Sequence, residues 1–173
     1  ETPVYPFGYG LGYTTFEVKG KSVAADEKQV TVTASVKNTG NFAGKEVVQV
    51  YVSAPAGKLD KPYQELKGFA KTKELAPGEE TEVTVTFDTA SMASFSEEAS
   101  AYVLEAGKYI IRVGNCSRDT HVCGIVSLDQ DAVTEKVKHI CPGWGFEDMK
   151  PEGATYSYEG EAEEIAAALI IEL

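Results

Sequence analysis

With 173 residues, the chain is long enough for one domain of ordinary size and some additional sequence, and its 43% hydrophobic and 25% charged residues are those of a globular protein with a packed core. The formal net charge of −11, unrelieved by any cluster of Lys and Arg, repels phosphate backbones and anionic lipid, which excludes nucleic acid and membrane surfaces as partners. No apolar run is long enough to cross a bilayer, no signal-peptide pattern opens the chain, and residues 1–5 read as the interior of a larger protein.

The first stretch in chain order is irregular. In Tyr5-Pro6-Phe7-Gly8-Tyr9-Gly10-Leu11-Gly12-Tyr13 aromatics alternate with Pro and Gly, which rules out a regular helix or a long strand, so residues 1–15 are expected to form a packed linker. Loose alternation of Phe16, Val18, Ser22 and Val23 suits an edge strand. Residues 29–37 place Val30, Val32, Ala34 and Val36 on one face and Thr31, Thr33 and Ser35 on the other, the pattern of a half-buried strand. Asn38-Thr39-Gly40-Asn41 turns the chain, and residues 45–53 follow as a second strand with Val48, Val50 and Val52 opposite Val47, Gln49, Tyr51 and Ser53. Pro55, Gly57 and Pro62 make residues 54–63 a long loop.

Extended structure resumes over residues 65–70, with Leu66 and Phe69 expected in the core and Gly68 at a bulge or a close approach. A Pro77-Gly78 turn feeds a strand at residues 81–87, in which Val83, Val85 and Phe87 face one way. Residues 101–104 and 108–114, joined by a turn at Glu105-Ala106-Gly107, read as a strand pair, and residues 120–128 close the set. About seven short strands over residues 16–128, linked by antiparallel turns, predict an all-β protein: an antiparallel sandwich of the fibronectin type III or immunoglobulin-like kind.

Residues 129–173 have a different texture and read as a mixed C-terminal extension. Residues 131–139 suit a short helix or strand, residues 142–146 an irregular loop around Trp144, and residues 161–173 a helix whose apolar stretch 165–171 needs a protein surface to lie against. Cys116 and Cys123 are spaced as if across a hairpin. Three reduced thiols in a cytosolic protein are the simpler reading for a core of this size, and this tips the expected compartment towards cytoplasm over secretion. Neither His121 nor His139 forms a zinc-type pair with a cysteine, and no acidic loop, Asp26-Glu27 and Glu79-Glu80 included, has calcium-loop spacing; no cofactor or metal is expected.

Residues 5–16, YPFGYGLGYTTF, resemble the YPFGYGLSYTTF motif that leads into the fibronectin-like domain of glycoside hydrolase family 3 enzymes, with Gly12 where that family has Ser. The run Val47-Val48-Gln49-Val50-Tyr51-Val52 is similar to the family's central strand, Pro62-Tyr63-Gln64-Glu65-Leu66-Lys67-Gly68-Phe69 to its P-x-x-E-L-K-G-F segment, and Leu75-Ala76-Pro77-Gly78-Glu79 to the turn that follows. Ala106-Gly107-Lys108-Tyr109 with Val113-Gly114 resembles its closing strands, so the likeness covers residues 4–128. It implies a parent β-glycosidase, β-glucosidase-like, whose nucleophilic and acid/base carboxylates lie on other domains. No catalytic residue is therefore assigned. A tail after this domain resembles the permuted members, in which a barrel domain follows.

Retaining glycosidases place two carboxylates across a deep cleft, which a lone sandwich lacks, so Asp60, Glu65, Glu97 and Glu98 read as surface acids. The rings of Tyr5, Phe7, Tyr9 and Tyr13, and Trp144, have the flatness to stack on sugars. Pro and Gly between the rings favour a compact wall between domains instead, so Tyr5, Pro6, Phe7, Tyr9, Leu11 and Tyr13 are expected to form an interdomain contact. In the loop at residues 54–63, Lys58, Asp60, Lys61 and Tyr63 are candidates to touch substrate or a neighbouring subunit. The expected function is a non-catalytic accessory domain whose partners are the catalytic domains of its parent, with carbohydrate met only indirectly. A carbohydrate-binding module and a structural or adhesive immunoglobulin-like domain are the alternatives.

Overall fold

The computed structural model describes residues 3–138, 140 and 156–173; the expected loop around Trp144, together with His139 and Cys141, lies outside them. Its elements are β1 (Phe16–Ala25), β2 (Gln29–Asn38), β3 (Val47–Ser53), β4 (Glu65–Lys71), β5 (Glu80–Asp88), β6 (Ser94–Ser96), β7 (Ala101–Leu104), β8 (Gly107–Cys116), β9 (Asp119–Leu128), β10 (Ala132–Lys136), helix α1 (Glu161–Ala167) and β11 (Ile170–Glu172). One sheet has the order β1-β2-β5 and the other β11-β9-β8-β3-β4. With β11 set aside, these are the seven strands of the expected sandwich, all antiparallel to their neighbours. The fold is all-β.

The core forms where the alternating residues of the two sheets meet. Val30, Val32 and Val36 of β2 and Val83, Val85 and Phe87 of β5 face Val48, Val50 and Val52 of β3 and Ile111 and Val113 of β8. At the crossing from one sheet to the other, the fully buried Tyr109 donates its hydroxyl hydrogen to the Glu105 carbonyl at 3.0 Å, the corner lock of immunoglobulin-like sandwiches. Burial pushes its pKa up to about 12, so it stays a neutral donor throughout the accessible pH range. The turn expected after β2 is built on Asn38, whose amide donates to the carbonyls of Phe42 and Leu75 at 2.8 and 2.9 Å while its carbonyl oxygen accepts from Gly40 N–H.

Four sequence expectations need correction. Phe69 is not in the core: it is 68% exposed, because the bulge in β4 shifts the register between Val50 and Tyr51 and turns Phe69 to the outer face opposite Gln49. Gly68 takes the inner position, where a Cβ would stand 2.6 Å from Val85 of the facing sheet, and Leu66 is half-buried. The second correction concerns β7 and β8, which are not a pair: β7 lies between β6 and β10 in a separate small sheet, while β8 pairs with β3 and β9. Glu105, in the expected turn, is buried, and Gly107 at φ 135° redirects the chain.

Thirdly, residues 161–173 are not one helix. The helix ends at Ala167, and Ile170–Glu172 joins the edge of the large sheet, parallel to β9, with Ile125 N–H donating to the Leu169 carbonyl at 2.9 Å. An open sheet edge offers unpaired backbone groups that a β-branched Ile-Ile stretch satisfies better than another helical turn would. Lastly, Cys116 and Cys123 do not face each other across the hairpin, since Cys116 is paired with Asp119; both thiols are free, as the simpler reading had it.

Candidate interdomain interface

The N-terminal segment is fastened to the sandwich by its backbone. The Phe7 carbonyl accepts from Ser117 N–H at 2.8 Å, the Gly8 carbonyl accepts from Gln49 Nε2 at 3.3 Å, and Tyr9 N–H closes a turn onto Pro6 at 3.0 Å. Gln49 is itself fixed, since its amide nitrogen also donates to the Asn115 carbonyl at 2.5 Å and its oxygen accepts from the Tyr51 hydroxyl at 2.6 Å. Gly8 has φ 80°, and a Cβ there would stand 2.3 Å from Gln49 Oε1, so the close approach requires glycine. Further along, Thr14 Oγ1 donates to Asn38 and the Thr15 carbonyl accepts from Thr39 N–H.

Backbone fastening leaves the side chains outside. Tyr5 and Phe7 are exposed, Tyr9 is about half exposed, Leu11 is exposed, and Tyr13 is 97% exposed; Pro6 is partly covered. Tyr5 and Tyr9 stack on one another with ring centroids 5.8 Å apart. The linker thus holds its rings out, and among the described residues the core of the sandwich does not cover them.

The loop at residues 54–63 splits the other candidates. Lys61 and the buried Glu105 form an ion pair, and Lys61 also donates to the Pro55 carbonyl at 3.0 Å, while Glu105 accepts from the backbone N–H of Lys58 at 2.7 Å and of Leu59 at 3.3 Å. Burial raises the Glu105 pKa, but the bonds from Lys61 and the loop outweigh it and hold the carboxyl below its usual range. Lys61 therefore shapes the loop. Tyr63 also turns inward, donating its hydroxyl hydrogen to Glu161 at 2.6 Å. Lys58 reaches out beside Asp131, and Asp60 lines an open groove of about 550 Å³ with Phe95, Glu97 and Glu98. Asp26, considered for calcium, instead accepts from the backbone N–H groups of Lys28 and Gln29 in its own turn.

A second arrangement had no sequence signal: the tail buries an ion pair against the outer face of the large sheet. Arg112, 1% exposed on β8, meets Glu161 of α1 at 2.5 Å and donates from Nε to Ser53 at 2.8 Å, with its guanidinium 4.9 Å from the centre of the Tyr63 ring. Ser157 also donates to Glu161, at 2.6 Å. Burial acts to raise the Glu161 pKa, and the bonds from Ser157, Tyr63 and Arg112 more than reverse it. One turn on, Glu164 accepts from Tyr158 at 2.5 Å, from Val122 N–H at 2.9 Å, and pairs with His121 at 2.8 Å. Gln49, Tyr51 and Ser53, on the outer face of β3, are buried as well.

Two sheets of three and four antiparallel strands, closed by a tyrosine corner, define a fibronectin type III-like sandwich, and residues 46–117 match the family model for the fibronectin type III-like domain. The chain is 41% identical over 161 residues to a β-glucosidase of Ruminococcus albus, a match that covers 90% of this chain and 17% of that protein. It is 43% identical over 132 residues to an exo-α-(1→6)-L-arabinopyranosidase of Bifidobacterium longum, covering 76% of this chain and 17% of the relative. Among solved structures, a β-glucosidase from Paenibacillus barengoltzii superposes with a TM-score of 0.74 at 40% identity, covering 79% of this chain and 16% of the other. β-Glucosidase 3B from Thermotoga neapolitana superposes at 0.70 and 46% identity, covering 76% and 18%.

Residues 46–117 are thus a fibronectin type III-like domain similar to those of glycoside hydrolase family 3 β-glucosidases, and the chain spans about one-sixth of the length of the curated relatives it matches. Since 128 of 173 residues is less than the 90% covered by the Ruminococcus match, that likeness runs on into the extension beyond residue 128.

Proposed function

We propose that this chain is a non-catalytic accessory domain of a family 3, β-glucosidase-like enzyme, and that it packs on and stabilises the catalytic domains of the same parent chain. The observation that carries this reading is the linker: its backbone is bonded to the sandwich at Phe7, Gly8 and Thr15 while Tyr5, Phe7, Leu11 and Tyr13 stay exposed. Contiguous exposed rings on a fixed backbone are the signature of a surface made for a partner. In this reading residues 1–15 are the interdomain linker, 16–128 the accessory sandwich, and 129–173 an extension that leads towards a following domain. Lys58 and Asp60 are the loop residues placed to meet a neighbour, and sugar is met only through the parent's site.

The test is hydrolysis of p-nitrophenyl-β-glucoside by this segment, by the full-length parent, and by the parent carrying Tyr5→Ala, Phe7→Ala and Tyr9→Ala. The segment is expected to be inert, and the altered parent to lose thermal stability together with activity. Hydrolysis by the segment, or a parent indifferent to the three changes, overturns the reading; saturable glucan binding by the segment would favour a carbohydrate-binding module.

A further inference from the structure

The two carboxylates that α1 turns to the sheet have partners of different kinds. Glu161 is held by Arg112, whose guanidinium stays charged at every accessible pH. Glu164 is held by His121, the single histidine among the described residues. Its two oxygens are served separately. Oε2 accepts from Val122 N–H at 2.9 Å and from the Tyr158 hydroxyl at 2.5 Å, whereas the partner of Oε1 is His121 Nδ1, at 2.8 Å. Across the ring, His121 Nε2 faces Asp119 Oδ1 at 4.0 Å. Tyr158 meets the imidazole edge-on, with centroids 5.7 Å apart. Glu17 and Lys19 of β1 line the same groove and are paired with each other at 2.8 Å, and Arg118 lies over the Tyr156 ring instead.

This placement distinguishes the two protonation states of the imidazole. A neutral ring with its hydrogen on Nδ1 serves Glu164 but turns a bare lone pair towards the Asp119 carboxylate; with the hydrogen on Nε2 it loses Glu164. Only the imidazolium, a donor at both nitrogens, suits both carboxylates. We propose that His121 is a proton-operated latch on the C-terminal extension: protonated, it clamps α1 to β9 between Glu164 and Asp119, and on losing its proton it slackens that hold while Arg112 and Glu161 keep the tail in place. The other groups of the clamp do not change charge between about pH 5 and 8, where histidine titrates. Burial acts to raise the Glu164 pKa, but the bonds from Tyr158, Val122 N–H and His121 hold the carboxyl below its usual range. Burial pushes the Tyr158 hydroxyl up, so it stays a neutral donor. Beyond Glu164 the tail runs into Leu169, whose carbonyl accepts from Ile125 N–H, so the hold on α1 bears on the pairing of β11 with β9. With His121 61% and Glu164 33% exposed, the latch shifts local opening by about two- to fivefold and not by decades.

The experiment measures hydrogen exchange of the Ile125 and Leu173 amides in the full chain at about pH 5.5 and about pH 7.5, corrected for the intrinsic rate, with the Ser117 amide as reference. Relative to Ser117, both amides are expected to be about two- to fivefold better protected at the lower pH. His121→Asn keeps a neutral donor near the position of Nδ1 and should abolish the difference, and Asp119→Asn should reduce it. A cooperative melting transition certifies that each variant is folded. Equal protection at the two pH values in the unaltered chain overturns the proposal, as does a difference that survives His121→Asn. A difference left whole by Asp119→Asn overturns the part given to the second carboxylate.

Discussion

The two ends of this domain are attached to the sandwich by different means. The tail, residues 156–173, adds to the backbone pairing of β11 with β9 a set of side-chain bonds: a buried Arg112–Glu161 pair, Tyr63, and the Glu164 bonds to Val122 N–H and His121. The linker is held by its backbone, through carbonyls at Phe7, Gly8 and Thr15, and keeps its rings outside. The side chains of the tail are thus taken up in bonds to the sandwich, whereas the linker leaves Tyr5, Phe7, Leu11 and Tyr13 exposed.

The largest expected effect breaks the tail side of this contrast. Glu161→Ala strands Arg112, buried at 1% exposure and with Nη1 already lacking a partner among the described residues, and should cost about 3–5 kcal/mol in urea unfolding. Replacing the pair by Arg112→Met with Glu161→Met should recover most of that loss, because the cost is that of an unpaired buried charge. A full loss in the double variant would mean that the tail is held by shape and not by charge.

Acid should separate the two ends next. Glu161 and Glu164 have pKa values below their ordinary 4.5 in the folded chain. Between that value and the folded one, the unfolded chain binds more protons, so the stability they lend is present above about pH 4.5 and is lost as pH falls through the folded values. Amide protection factors at Ile125 and Leu173, whose N–H groups bond Leu169 and Ser127, should fall on acidification, while that of Ser117, bonded to Phe7, holds through the same range. Equal loss at both ends would remove the distinction.

Gly8→Ala attacks the linker instead. Forced to φ 80° with its Cβ against Gln49, the variant should lose about 1–2 kcal/mol and the protection of the Ser117 amide, with Ile125 unaffected. Smallest of all, Tyr13→Ala should change this domain's own stability by less than about 0.5 kcal/mol in thermal or urea unfolding, since the ring is 97% exposed. A larger loss would show that the linker rings serve the sandwich and not a partner.

The sandwich was legible because its signal is local. Val30, Val32, Ala34 and Val36 alternate, and so do Val83, Val85 and Phe87, and the Asn38 and Pro77-Gly78 turns punctuate them. The irregular course of the linker was legible for the same reason: Pro and Gly between rings restrict the chain whatever surrounds it. Phe69 was misplaced because a one-residue bulge reverses which side chain faces the core, and nothing in the alternation announces a bulge except Gly68 itself.

By itself, then, the sequence determined the strands, their inward faces and the turns, all of which depend on neighbours a few residues apart. Tertiary structure alone decided that β7 leaves β8 for a third sheet, that the last apolar stretch becomes a parallel strand on β9, and that the outer face of β3 is dry. Tyr63 and Glu161 are 98 residues apart, as are no two positions that a periodicity can connect. Whether a polar face is wet or buried depends on which distant segment comes to cover it, and a buried Arg112 reads in sequence like any exposed one until Glu161 is seen beside it.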